Sequence, residues 1–339
     1  TTTLTGAVTL PAGTTSDTLS FRNLITNGAM QVAQRGTSST SNSYATVDRM
    51  SLGEGGLDET CTQAQVDVAS ETTPYTSGFR KAYKITNGNQ TSGAGGTDYI
   101  RFEYRLEAQD IANSGWNYTD SNSKITLQFW VKSSVAQNFY FILNSNDGTA
   151  RSFPMETGSL SADTWTKVTK TISGDSNLQF DNDVNEGLTI FFYLYLGTTY
   201  AGAGVSLNTW KNVGNPQTPT NTTTWFTTND ATFEITGVQL EAGDAATDFE
   251  HRSYGDELAR CQRYYYFLDH TFYGATWNQS DFGMISFDLK VTMRASPTVT
   301  YNSLRTEDGL NTYTNPQRVG FYINHDSPYG SGLKCDAEL

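Results

Sequence analysis

A chain of 339 residues is long for one β domain and sufficient for two separate cores. Its formal net charge of -13 excludes a phosphate-tracking nucleic-acid binder, which needs clustered Lys and Arg to release counterions, and suits neutral or cationic partners. No apolar run approaches the roughly 18 residues of a membrane span, so membrane insertion is not expected.

Gly, Ser, Thr and Asn are abundant beside 19 Tyr, 18 Phe and 6 Trp. That mixture suits short strands joined by polar turns and predicts an all-β protein. Cys61, Cys261 and Cys335 are an odd set at wide spacing, which indicates neither a zinc knuckle nor a disulfide framework. They are expected to be reduced structural thiols, in keeping with a reducing cytoplasm. The chain starts with Thr and has no signal-peptide pattern, which fits either processing or membership of a longer gene product.

Residues 1–21 are rich in Thr, Gly and Ser with only Leu4, Val8 and Leu10 in thin alternation, and read as an extended arm or linker. Between 22 and 252, period-two patterns recur between turn-rich gaps. Phe79, Tyr83 and Ile85 mark one strand. Ile100, Phe102, Tyr104 and Leu106 alternate with Arg101, Glu103 and Arg105 in another. Ile125, Leu127, Phe129 and Val131 repeat the pattern, as do Phe139, Phe141 and Leu143, and then Leu188, Ile190, Phe192, Leu194 and Leu196. Asn144–Gly148 and Asp181–Gly187 supply breaks. Many antiparallel strands at this spacing predict a β-sandwich.

In the last strand of this region Phe233 and Ile235 share one parity and Val238 and Leu240 the other, with Gly237 between them. A β-bulge at Gly237 would return both pairs to the core. Residues 253–339 then form a second unit. Ser253 and Asp256 have capping-box spacing, and Leu258, Cys261 and Tyr265 recur at helical intervals, predicting a short linking helix over Glu257–Tyr264. A smaller C-terminal β domain follows: Tyr264–His270, one alternation through Ile285, Phe287, Leu289, Val291 and Met293 ended by Pro297, and Val319, Phe321 and Ile323.

Aromatics are the main functional lead, because sugar rings stack their C–H faces on Trp and Tyr while polar neighbours satisfy the hydroxyls. Phe191, Tyr193 and Tyr195 lie on the parity opposite the aliphatic set and would face outward. Trp116 and Tyr118 in SGWNYTD, and Trp210 and Trp225 in the polar insertion Tyr200–Asp230, complete a candidate carbohydrate platform. The alternative makes Trp130 and Trp165 core or edge residues and the Tyr row a subunit interface. Asp181, Asp183 and Asn185 form a weak candidate calcium loop; Gly falls one place late for an EF-hand, and Phe192 stands where the bidentate Glu should be. No cofactor is expected beyond a structural calcium. His251, His270 and His325 are scattered and no nucleophile motif is present, so no catalytic residue is assigned. His251 and Arg252 are expected to make interdomain hydrogen bonds.

Five segments carry a resemblance: Asn23–Gly36 (NLITNGAMQVAQRG), Lys124–Ser134, Asp163–Asp175, Val291–Thr300 and above all Phe233–Tyr266 (FEITGVQLEAGDAATDFEHRSYGDELARCQRYYY). In pattern the chain resembles bacteriophage tail-fibre and virion-appendage proteins. There a jelly-roll, carbohydrate-binding-module-like domain precedes a small C-terminal β domain. The resemblance implies a non-enzymatic virion protein, a homotrimer that contacts other virion proteins through its N-terminal arm and adheres to bacterial surface glycans. A tail position is implied over the capsid surface. A capsid decoration or head-fibre protein is the alternative, and a polysaccharide depolymerase a more distant one. By the same resemblance a structural calcium would lie near Asn27 and Glu241, although the acidic residue usual in the opening motif is here Ala29 or Gln31.

Overall fold

In a computed structural model, residues 22–273, 275–276, 282–304, 311–324 and 329–339 are described. The expected N-terminal arm and His325 lie outside them. The first 12 strands run in chain order as β1 (Ser38–Ser39), β2 (Ser51–Gly55), β3 (Thr62–Asp67), β4 (Lys81–Thr86), β5 (Tyr99–Glu107), β6 (Lys124–Ser133), β7 (Asn138–Ser145), β8 (Arg151–Ser159), β9 (Thr166–Ser173), β10 (Glu186–Leu196), β11 (Lys211–Asn212) and β12 (Thr232–Ala242). Short helices α1 (Thr73–Thr76), α2 (Ala108–Ala112) and α3 (Thr224–Thr227) lie between them. The strands make two six-stranded sheets, ordered β1-β3-β4-β12-β6-β9 and β11-β8-β7-β10-β5-β2. This is the β-sandwich that the alternating patterns predict, in the jelly-roll form that the resemblance implies.

The inward parity of each strand fills one core. Phe102 stacks on Phe192 at 4.7 Å, and Phe129 meets Phe141 and Phe192 edge-on at 5.2 and 5.3 Å. Each fully buried ring or branched aliphatic contributes about 1.5–3 kcal/mol of transfer free energy, so the facing rows dominate the stability of this domain. In β12 the ladder to β6 shifts between Thr236 and Gln239, and Gly237 has φ 64°. Phe233, Ile235, Val238 and Leu240 are consequently all buried, as the change of parity predicts.

Asn23–Gly36 packs beside this bulge. The Asn23 side chain accepts from the backbone N–H of Ile25 and Leu240 at 3.0 and 3.1 Å and donates to Val238 O at 3.1 Å. Val238 N donates in turn to Gly28 O at 2.9 Å, and a Cβ on Gly28 would strike the Val238 carbonyl. The opening segment thus completes backbone hydrogen bonds that the bulge leaves open.

Helix α4 (Tyr254–Gln262) begins a few residues before its expected start. The Ser253 hydroxyl oxygen accepts from Asp256 N at 3.2 Å, the N-cap half of the expected box, while the shorter Asp256 carboxylate takes the Ser253 O–H at 2.7 Å rather than its backbone N–H. Beyond it lie β13 (Tyr265–Tyr273), β14 (Ala275–Thr276), β15 (Phe282–Asp288), β16 (Thr298–Thr300), β17 (Ser303–Leu304), β18 (Asn311–Asn315), β19 (Arg318–Asn324) and β20 (Tyr329–Asp336). One sheet has the order β13-β20-β16, with β17 also on β20; the other is β14-β15-β19-β18. Their shared core includes Met293, Val319, Phe321, Leu333 and Cys335.

The alternation from Ile285 to Met293 is not one strand. β15 ends at Asp288, opposite Arg318, because β18 and β19 turn there and leave no partner beyond. Leu289 and Met293 are still buried, held by N–H donation to Gln317 O and Pro316 O at 2.8 and 2.7 Å.

The C-terminal sheets are fastened to the sandwich by buried ions. Arg49, 1% exposed, pairs with Glu338, and its guanidinium lies 3.5 Å from the Tyr264 ring centre. Arg35 reaches Asp336 and Glu338 at 2.9 and 3.3 Å. Arg263 grips Glu107 through two bonds of 2.9 and 2.7 Å, and Tyr264 Oη donates to the same carboxylate at 2.6 Å. Arg105 donates to Leu339 O at 2.6 Å. Of the two residues expected to bond across the junction, His251 donates from Nε2 to Ser77 O at 3.0 Å within the sandwich, while Arg252 holds Asn23 O and Ile25 O and also lies 3.6 Å from Glu257 of α4. The three cysteines are buried and unpaired, and burial raises their thiol pKa values.

Candidate ligand-binding surface

The aromatic platform expected from the sequence is mostly inside the protein. Trp225 is fully buried, with its indole N–H donating to Thr232 O at 3.0 Å. Trp210 is 8% exposed, packs on Phe153 and donates to Ser173 O at 2.6 Å. Trp116 is buried against Phe180, and Tyr118 stands edge-on to the same ring at 4.8 Å. These loops fold back to close the ends of the core, where each ring gains apolar contact; the indoles of Trp210 and Trp225 also find an acceptor, whereas the buried Trp116 N–H has none among the described residues.

The row on β10 fails for a second reason. Its ladder to β5 shifts between Tyr193 and Tyr195, so Tyr195 turns inward and packs on Phe226 at 4.3 Å, while Leu196 turns outward. Tyr193 does face outward, but the insertion after β10 covers it: Ala201 packs on it and Gln217 accepts from its hydroxyl at 2.7 Å. Burial pushes the Tyr193 phenol pKa up to about 12. Phe191 stays partly exposed, with the Arg101 guanidinium 4.7 Å above its ring. Of the seven candidates, Trp116, Tyr193, Tyr195, Trp210 and Trp225 are buried, and Tyr118 and Phe191 stay partly exposed.

In the candidate calcium loop the polar side chains are bonded to near neighbours. Both carboxylate oxygens of Asp183 accept from Asn185, and Asp181 accepts from Gln179 at 2.7 Å. Asn27 holds Val32 and Asp48 carbonyls, while Glu241 accepts from Gln239 and Thr247. Among the described residues no group of three or more acidic, His or Cys side chains is placed to hold a metal ion.

Partly exposed aromatic surface lies on the outer face of the other sheet, where Trp130 and Trp165 overlie a cluster whose Phe79 is 2% exposed. β6 buries Ile125, Leu127, Phe129 and Val131 and directs Gln128, Trp130 and Lys132 away from the core. Trp130 sits between Thr236 of β12 and Lys167 of β9. It walls a concavity of about 300 Å³ with Phe79, Phe249, His251, Gln128, Lys167 and Asp248. Phe79, Phe249 and His251 cluster with ring centres 4.8–5.1 Å apart. Phe79 fits there because the bulge residue Gly237 has no Cβ, which would approach its Cζ to 2.7 Å. Trp165 flanks the site, partly exposed, with Lys132 Nζ 5.2 Å from its ring centre.

The polar rim is open to a ligand. Lys167 and Asp248 are exposed, and their charged groups have no partner among the described residues. Because Ser77 O can only accept, His251 Nε2 donates to it, which leaves Nδ1 without a partner among the described residues. Aromatic walls with a donor, an acceptor and a carboxylate at the rim match the two-sided chemistry of a sugar ring. The volume is at the lower limit for small-molecule sites and suits a single ring. The signal was present in the sequence: Trp130 has the outward parity on a strand whose inward residues are unmistakable.

No family model matches the chain, and no curated protein matches it. Solved structures with partial likeness include the enzymatically active domain of tailspike protein 4 of bacteriophage CBA120, at 9% identity over 65% of this chain and TM-score 0.34. This chain spans 21% of that protein's length. The N-terminal cellulose-binding domain of Cellulomonas fimi β-1,4-glucanase C is 12% identical over 62% of this chain and 97% of its own, with TM-score 0.29. The N-terminal CBM22 tandem domain of Paenibacillus barcinonensis Xyn10C is 8% identical over 94% of this chain and 98% of its own, with TM-score 0.30. At these scores the sandwich assignment rests on the strand pairing itself.

Proposed function

We propose that this chain is a non-catalytic structural component of a bacteriophage virion, of tail-fibre or receptor-binding type, that adheres to bacterial surface glycans through the Trp130 face of its sandwich. The observation that carries the glycan reading is the concavity walled by Trp130, Phe79, Phe249 and His251, with the unpartnered Lys167 and Asp248 at its rim. The virion reading rests on the five resembling segments, two of which, Asn23–Gly36 and Phe233–Tyr266, are bonded into one junction. A shallow site of this size binds weakly alone, and a homotrimer would present three together, gaining avidity.

Glycan-array binding by the purified chain tests the reading. Trp130→Ala and Trp165→Ala should each weaken binding roughly tenfold, the loss of one stacked ring. Unchanged binding in both variants removes the site. Labelled antibody located on the head shell of the intact virion would replace the tail assignment with capsid decoration. Release of reducing ends from host polysaccharide would overturn the non-catalytic reading.

A further inference from the structure

A larger concavity, about 750 Å³, lies where the C-terminal sheet β13-β20-β16 faces the sandwich. Its floor is two cross-strand rows on one sheet face. Phe267, Lys334 and Thr300 are paired in register in one row, and Tyr265, Asp336 and Thr298 in the other. Arg35 closes the sandwich side with its guanidinium 3.6 Å from the Tyr265 ring centre.

The charges here do not cancel. Asp336 and Glu338 are taken by Arg35 and Arg49. That leaves Lys334, whose ammonium stands 6.0 Å from the Phe267 ring centre with no carboxylate in ion-pair range among the described residues. Beside it the exposed hydroxyls of Thr298 and Thr300 and the amide of Asn302 also have no hydrogen-bond partner among the described residues. An unpaired cation in a cleft of a protein with net charge -13 is a local reversal of the field. A ligand matching this inventory carries one anionic group for Lys334, hydroxyls for the Thr and Asn side chains, and an apolar face for Phe267.

We propose that the interdomain cleft binds an acidic saccharide, its carboxylate on Lys334 and one ring face on Phe267. The inference shares with the proposed function only the premise that glycans are the ligands; the Trp130 pocket is a separate place on the sandwich.

The full chain is titrated calorimetrically at low salt with trigalacturonic acid and 3′-sialyllactose, and with the carboxyl-reduced form of whichever binds. Saturable binding of one acid is expected, at least tenfold weaker after carboxyl reduction and at least tenfold weaker in Lys334→Gln. Lys334→Arg should retain most of it, and Thr300→Val should lose several-fold. Thr300→Val, on a neighbouring strand, gives an independent reading if Lys334→Gln misfolds. The proposal is overturned if neither acid saturates, if the carboxyl-reduced sugar binds equally, if both Lys334→Gln and Thr300→Val bind normally, or if Trp130→Ala abolishes binding while Lys334→Gln does not.

Discussion

Arg49 and Glu338 form an ion pair across the boundary between the sandwich and the C-terminal sheets, with side chains 1% and 5% exposed. Removing one member of such a pair strands the other without solvent. Glu338→Ala leaves two guanidinium groups, those of Arg49 and Arg35, short of a partner. The expected loss is about 3–5 kcal/mol, read from the midpoint of urea unfolding. Arg49→Met with Glu338→Leu should recover part of it, since the Arg49 charge is then gone and Arg35 keeps Asp336.

Gly237→Ala should destabilise the chain on two counts. The positive φ costs a residue with a Cβ about 1–2 kcal/mol, and the new methyl would crowd Phe79. Overpacking adds about 1–3 kcal/mol. Phe79→Leu in the same chain should relieve the second term and leave the first, so thermal melting of the double variant should fall between those of the parent and Gly237→Ala.

Burial raises the carboxyl pKa of Asp48 to about 6, against hydrogen bonds from Gln34 that lower it. Because the folded value lies above the unfolded one, the folded state favours the proton, and this contribution to stability is present at low pH and lost as pH rises through about 6. Asp48→Asn removes that dependence. Its melting temperature relative to the parent should therefore be more favourable at pH 8 than at pH 5, measured by calorimetry at both; an equal offset would refute the assignment.

Trp225→Ala should cost about 3–5 kcal/mol of stability, because the ring is fully buried and its N–H is bonded to Thr232. Glycan binding by the folded fraction should be unchanged. Trp130→Ala should behave in the opposite way, with small loss of stability and marked loss of binding, so denaturation and binding curves on both variants separate core from surface.

Much of the sandwich was legible because strand alternation states which side chains go inward, and the parity change at Gly237 even located the bulge. The same reasoning misplaced Tyr195, since a second irregularity, between Tyr193 and Tyr195, has no glycine to announce it. Trp116, Trp210 and Trp225 stand in polar segments, where nothing periodic tells a loop that crosses the core's open ends from one that leaves it. Trp130 had the right parity and was readable as outward. The cleft at Lys334 was not readable at all, because it depends on three strands in register and on which carboxylates the distant Arg35 and Arg49 occupy.

The partners Arg49 and Glu338 are 289 positions apart in the chain. During synthesis the sandwich emerges and can close first, at roughly 5–20 residues per second, while Arg35 and Arg49 wait in water for acids not yet translated. The clamp between the two halves is therefore a late event on the ribosome's clock. A nascent chain stalled before residue 336 would hold a finished sandwich whose basic patch is still exposed, and whose second half is held by contacts such as Arg263 and Tyr264 on Glu107 without the Glu338 clamp.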